Sequence, residues 1–287
     1  MKRILIIGSS GQLGSSLKQK LSTKFFVLNP KKRLDITLNK DLKKIISFKF
    51  DYLVNCAAIH NLDYAENNYK KTFAVNSYAA KNLAEICKLK NSTLIHISTD
   101  YVYNNISKNK GIENKNLNPL NIYGYSKLVG EYFIKNTFKN YFIFRVASLF
   151  GTTPPSGKSG NFIDTIYLKA KNGDNLKVVS DQKMSPTSTK LIANVIYKIV
   201  NKSFKNYGIY NLSCRDSCSW YDFAKKIIKL SGLRNKIQKL RYEDLKLKTE
   251  RPLNSSLNTN KIQKSLKVNL PSWQIELKKY MKEKKYI

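Results

Sequence analysis

A chain of 287 residues with 42% hydrophobic content is long enough to bury a sizeable core and too apolar to be disordered. No apolar run approaches the roughly 18 residues that span a bilayer, so membrane insertion is excluded. The formal net charge of +33 raises nucleic acid as a partner, but of the 52 basic residues seven are arginine and 45 lysine, spread along the whole chain. Specific nucleic-acid binding, which favours arginine, is therefore set aside, while a basic surface still gathers anionic small molecules.

Met1-Lys2-Arg3-Ile4-Leu5-Ile6-Ile7-Gly8 resembles a short signal peptide, but its four-residue apolar run leads into a glycine loop. It reads as a buried first strand of a cytoplasmic protein. Further strands are predicted at Phe25–Leu28, Tyr52–Asn55, Thr93–Ser98, Tyr141–Val146, Lys177–Val179 and Ile209–Leu212, and helices at Gln12–Leu21, Lys71–Lys88 and Tyr123–Thr137. Strands alternating with helices predict an α/β fold: a doubly wound, mostly parallel sheet of Rossmann type with a smaller C-terminal lobe. Residues 1–150 are assigned to the nucleotide-binding domain and 151–287 mainly to the lobe, with segments near 177–200 and 208–213 returning to the sheet. Thr152–Gly160 is the clearest loop. Cys56, Cys87, Cys214 and Cys218 lack the pattern of a zinc site, and no metal is expected.

Gly8-Ser9-Ser10-Gly11-Gln12-Leu13-Gly14 follows the first strand and opens a helix. Glycines there give a tight turn, let the backbone approach a pyrophosphate, and let helix pack on strand, while the helix N-terminus offers free N–H groups to the anion. After the second strand stand Asn29, Lys31, Lys32 and Arg33 rather than an acid for the ribose 2′-OH. NADPH is therefore favoured slightly over NADH.

Tyr123 and Lys127 lie four apart, on one face of a helix, where an ammonium would lower the phenol's pKa and ready it for proton transfer. The spacing itself says little, because it also occurs at Tyr167, Tyr221, Tyr242 and Tyr280. Position decides: Tyr123 lies between the fourth and fifth strands and follows the polar strand end Ser98-Thr99-Asp100, and ligands gather at such strand ends. Tyr125 reads as a bystander. Thr99 would add a hydroxyl to the substrate oxygen, its plain alternative being a threonine that caps a turn. His96, between Ile95 and Ile97, reads as structural, and His60 as facing the cofactor.

These residues resemble the extended short-chain dehydrogenases, and specifically the dTDP-4-dehydrorhamnose reductase family. The likeness runs over nearly the whole chain: Gly11-Gln12-Leu13-Gly14, Leu34–Thr37, Val54–Ala58, Asp63–Glu66, Ala74-Val75-Asn76, Ser98–Tyr103, Tyr123–Lys127, Ser180-Asp181-Gln182 with Ser185-Pro186-Thr187, Tyr210–Ser213, Ser219–Ala224 and Arg251–Leu257. The resemblance implies that Gly8, Ser10, Gly11, Gln12 and Leu13 hold the pyrophosphate. Asp35 and Ile36 would flank the adenine, and Ala57, Ala58, Ile59 and His60 would line the cofactor cleft. Thr99, Asp100, Tyr101 and Arg251 would meet the sugar nucleotide, Tyr123 would donate the proton, and Lys127 would orient it and bind the nicotinamide ribose. The implied reaction is hydride transfer to the C4 keto group of a nucleotide-linked 4-keto-6-deoxy sugar, in surface-polysaccharide biosynthesis.

Four positions depart from the family pattern. Ser16 replaces a glutamate tied to magnesium-linked dimers, which argues against a dimer of that kind, while a homodimer stays open. Tyr64 replaces a lysine, Arg145–Leu149 lacks a bulky aromatic beside the sugar, and the Thr152–Gly160 loop differs. Two alternatives stand beside the reductase: a nucleotide-sugar epimerase holding NAD tightly, and a non-catalytic regulatory member. Dehydration is disfavoured because Tyr101 stands where a glutamate is needed.

Overall fold

The computed structural model describes residues 1–28, 30, 32–104, 111–115, 117–155, 157 and 159–287. Asn29 and Lys31, expected beside the cofactor's ribose, lie outside the described residues, as do Ser156 and Lys158 of the 152–160 loop.

The first half is a strand–helix series: β1 (Arg3–Ile7), α1 (Gln12–Leu21), β2 (Phe26–Leu28), α2 (Asn39–Ser47), β3 (Tyr52–Asn55), α3 (Leu62–Asn67), α4 (Tyr69–Phe73), a π-turn (Ala74–Tyr78), α5 (Ala79–Leu89), β4 (Thr93–Thr99), a 3-10 turn (Asp100–Val102), α6 (Ile122–Thr137) and β5 (Tyr141–Val146). The second half adds β6 (Leu149–Phe150), α7 (Phe162–Lys171), β7 (Leu176–Val179), β8 (Lys183–Met184), β9 (Thr187–Ser188), α8 (Thr189–Lys202), β10 (Gly208–Asn211), β11 (Cys218–Ser219), α9 (Trp220–Ser231), β12 (Ile237–Leu240), a second 3-10 turn (Tyr242–Leu245), α10 (Asn260–Leu266) and α11 (Trp273–Glu283).

Six strands make one sheet in the order β10-β5-β4-β3-β1-β2, parallel throughout. Such a sheet is covered on both faces, so its strands read as unbroken apolar runs whose alternate residues serve two cores. Ile4, Ile6, Val54, Ile95, Phe142 and Phe144 join one core with Leu13, Leu17 and Leu21 of α1 and Ile192 and Ile196 of α8. Leu5, Ile7, Leu53, Leu94 and Ile143 join the other with Ala80, Leu83 and Ala84 of α5. The fold is thus the mostly parallel Rossmann-type sheet expected.

Two details differ from the sequence reading. The predicted helix Lys71–Lys88 is divided by the π-turn, for a reason given by Asn76 below. The segment near 177–200 does not return to the main sheet as a strand. Its β7 pairs with β12 from the far side of α9, because Ile237–Leu240 offers a parallel partner in register, and only α8 comes back, packing on α1. Residues 208–211, by contrast, form the outer strand beside β5.

Candidate active site

At the carboxyl end of β1 the chain turns sharply at Gly8, whose φ of +77° lies in the left-handed region that glycine tolerates. A β-carbon on Gly8 would stand 2.9 Å from the Ala57 nitrogen, and one on Gly14 would stand 2.1 Å from the Gly8 carbonyl oxygen. Absent side chains therefore let α1 press onto β1 and bring the loop against the end of β3. Gly11 caps α1 without a side-chain hydrogen bond, leaving the first N–H groups of the helix to an anion. The Gln12 amide nitrogen is buried without a partner in the chain. Both features fit a bound pyrophosphate. Ser10 is exposed beside them, and Leu13 anchors the helix in the core.

Ile36 is buried against the core that holds Ile7, and Asp35 is exposed, its carboxylate accepting from Thr37 N–H and hydroxyl at 3.0 and 2.7 Å. These bonds hold its pKa below the usual value. Ala57, Ala58 and Ile59 are half-buried after β3, and His60 is exposed. Asn76 fixes this edge. Its amide accepts from Ile59 N–H and donates to the Ile59 carbonyl, both at 2.9 Å, and also donates to Ser126 Oγ at 2.9 Å. The extra residue of the π-turn lets one side chain reach both segments.

Glycine also sets the position of α6. Its start is capped by Asn121, which accepts from Gly124 N–H at 2.9 Å, while Glu66 accepts from Ile122 N–H at 2.8 Å. A β-carbon on Gly124 would stand 2.3 Å from the Tyr101 carbonyl oxygen, so α6 lies directly on the 3-10 turn. This brings Thr99, Asp100, Tyr101 and Tyr123 together, with the Tyr101 and Tyr123 rings edge to face at 5.9 Å. Thr99 does cap the turn, accepting from Tyr101 N–H at 3.2 Å, and its hydroxyl also donates to Asp100 Oδ1 at 3.1 Å. Burial raises the Tyr101 phenol, offset in part by the positive charge of Arg251, whose Nε is buried without a hydrogen-bond partner among the described residues. Tyr125, on the other side of α6, is exposed.

The electrostatics differ from the sequence reading. Burial pushes the Tyr123 phenol up to about 12, offset in part by the Thr99 hydroxyl. The ammonium expected to lower it points elsewhere: Lys127 Nζ donates to the Ile97 carbonyl at 2.6 Å and meets His96 Nε2 at 3.1 Å. Burial lowers Lys127 to about 8 and raises Asp100 to about 6.

The support beneath the site, centred on Glu131 and Arg145, was not given a role from sequence. Arg145, 1% exposed, is held by both carboxylate oxygens of Glu131, one turn beyond Lys127, with its NH2 at 2.6 Å, and donates to Tyr103 Oη and the Glu113 carbonyl at 2.8 and 2.7 Å. Ser98, the cross-strand partner of Arg145, also donates to Glu131. This network braces α6 against β4 and β5 beneath the site. Asn55 and His96, also cross-strand partners, are hydrogen-bonded at 3.1 Å. The Ser16 hydroxyl, at the position of the family's glutamate, is paired with Thr189 Oγ1 at 2.7 Å.

The chain is similar over nearly its whole length to known proteins. A family model described as the RmlD substrate binding domain matches residues 1–286. A dTDP-4-dehydrorhamnose reductase from Aggregatibacter actinomycetemcomitans is 36% identical over 97% of this chain and 98% of its own. The spore coat polysaccharide biosynthesis protein SpsK of Bacillus subtilis is 32% identical over 99% and 98%. The crystal structure of a dTDP-4-dehydrorhamnose reductase from Bacillus anthracis in complex with NADP superposes with a TM-score of 0.91 at 31% identity, covering 98% of this chain and 99% of that one. Matched over its whole length by the family model and by named members above 30% identity, the chain belongs to the dTDP-4-dehydrorhamnose reductase family.

Proposed function

We propose that the chain is an NAD(P)H-dependent reductase acting on the C4 keto group of a nucleotide-linked 4-keto-6-deoxy sugar, with dTDP-4-dehydrorhamnose as the first substrate to test. The supporting observation is the convergence of Thr99, Asp100, Tyr101, Tyr123 and Arg251 where β4 and α6 meet, with the glycine loop at the end of β1 in the same sheet. Strand carboxyl ends of such sheets are where nucleotides and substrates gather.

Bound NADPH or NADH would supply the hydride. The N–H groups of Gln12 and Leu13, in the loop formed by Gly8, Ser10 and Gly11, would hold its pyrophosphate, the Gly11 N–H being turned back to the Gly8 carbonyl at 3.1 Å. Asp35 and Ile36 would flank the adenine, and Ala57, Ala58, Ile59 and His60 would line the cleft. Lys32 and Arg33, exposed after β2, favour the 2′-phosphate form. Tyr123 keeps its proton at neutral pH, because its pKa stands near 12, and is thereby ready to give it to the oxygen that gains the hydride's electrons. Thr99 would share that oxygen, and Asp100, Tyr101 and Arg251 would orient the sugar nucleotide.

Residues 1–150 are proposed as the cofactor half and 151–287 mainly as the substrate lobe. A cytoplasmic location is supported by four cysteines that are all free thiols. A homodimer is proposed on the exposed rings of Tyr78 and Tyr132, which flank Phe133, and sedimentation velocity tests it.

The decisive assay follows NADPH fluorescence with dTDP-, GDP-, CDP- and UDP-linked 4-keto-6-deoxy sugars. Oxidation with the dTDP sugar is expected. No turnover with any of the four refutes the proposal.

A further inference from the structure

A line of hydrogen bonds runs from the loop at the end of β3 to the catalytic lysine. Ala57 N–H donates to Asn55 Oδ1 at 3.1 Å. A backbone amide can only donate, so this bond fixes which end of the Asn55 side chain is oxygen. The other end, Nδ2, therefore faces His96 Nδ1 at 3.1 Å. An amide nitrogen likewise only donates, so Nδ1 must accept, and the single proton of the neutral ring stands on Nε2. That N–H points at Lys127 Nζ, 3.1 Å away. An ammonium offers no acceptor there, whereas an uncharged amine does, while still donating to the Ile97 carbonyl at 2.6 Å.

From this geometry we infer that His96 is a positioning residue that gives Lys127 a resting place as an uncharged amine. When Lys127 leaves His96 to serve Tyr123, it takes up a proton from water, and the ring keeps its own Nε2 proton. His96 thereby sets the pH above which the lysine stays at rest. The inference deepens the proposed reaction, since it rests on Lys127 taking part in it.

The other groups around Lys127 do not supply this function. Cys56, at the end of β3, is a thiol that burial raises to about 12, so it is uncharged. Glu131, on the same helix, is committed to Arg145 of β5 as a buried ion pair. Tyr123, one turn earlier, is a neutral phenol directed at Thr99. The depressed pKa of Lys127, near 8, and that of His96, held well below its usual value by burial, agree with a neutral ring facing a readily discharged amine.

The chain has two histidines, so the ring can be observed directly. Long-range nitrogen–proton correlation spectra of the whole protein, assigned with a His60→Gln variant, should show His96 as the neutral Nε2–H tautomer above about pH 8, where the Lys127 amine has given up its proton. The Nδ1–H tautomer, or an imidazolium in that range, overturns the inference, whatever the protein's activity. The second readout is the pH profile of kcat/KM. Removing the donor with His96→Leu should move the alkaline limb up by roughly one unit, whereas His96→Gln, whose amide can replace the Nε2–H, should keep it near the wild-type position. A purely structural role would lower the profile without moving the limb and leave glutamine no better than leucine, and that result also overturns the inference. The wild-type spectrum decides even where the leucine variant folds poorly. Absence of turnover with every sugar would refute the proposed reaction while leaving the spectrum to report on the ring.

Discussion

Gly130 faces Asn76 so closely that a β-carbon on it would stand 2.4 Å from the Asn76 carbonyl oxygen. The obstacle is backbone, which cannot swing away as a flexible side chain would. Gly130→Ala should therefore push α6 off the π-turn and carry Tyr123 and Lys127 with it. Misplacement by about 1 Å is enough for a loss of roughly 100-fold in kcat, and steady-state kinetics will show it. Lys81→Ala, on the exposed face of α5, is the control and should stay near wild type.

Tyr123→Phe removes the proposed proton donor and leaves the ring that packs on Tyr101. Turnover should fall by about 10²–10⁴-fold, with cofactor affinity by fluorescence titration little changed. Tyr125→Phe, two residues on but 44% exposed, should turn over normally. Equal losses in both variants would dismiss Tyr123 as the donor.

Arg145 and Glu131 are 1% and 2% exposed, so breaking the pair strands a charge in the core. Arg145→Met should destabilise the protein by about 3–5 kcal/mol in chemical denaturation. Removing the exposed Lys81–Glu85 pair, at 3.5 Å, should change stability by no more than about 1 kcal/mol.

Asp100 has a folded-state pKa near 6, above its usual value, because burial disfavours the carboxylate. The folded state thus binds this proton more tightly than the unfolded chain does. The resulting stabilisation is complete below about pH 4 and is lost as the pH rises through about 6. Relative to Asp100→Asn, which has no proton to lose, the wild type should lose on the order of 3 kcal/mol across that window. Parallel denaturation curves at the two ends of the range would contradict it.

Much of this architecture is legible in the sequence because parallel strands buried on both faces leave unbroken apolar runs, as Ile4–Ile7 does before Gly8. Tyr123 is legible by its place after the fourth strand, not by its spacing from a lysine. The π-turn is not legible, because the helical pattern runs straight through Ala74–Tyr78 and the reason for the extra residue, Asn76, binds partners at Ile59 and Ser126 in distant segments. His96 reads as structural because Ile95 and Ile97 point into one core. What awaits it on the opposite face is Lys127, 31 residues later, and only the fold brings the two together. Burial, which the sequence does not show, makes Tyr123 a weaker acid than its neighbour on the helix suggests. The pairing of β7 with β12 was hidden because a short apolar strand does not name its partner.

The outer strand β10 comes from residues 208–211, yet it covers the edge of β5, which ends at Val146. During synthesis, then, the first half of the chain leaves the ribosome with one flank of its sheet unpaired, and more than sixty further residues must follow before that flank is closed. A fragment stopped at residue 150 would leave the outer backbone groups of β5 unpaired, an open strand edge of the kind on which chains associate.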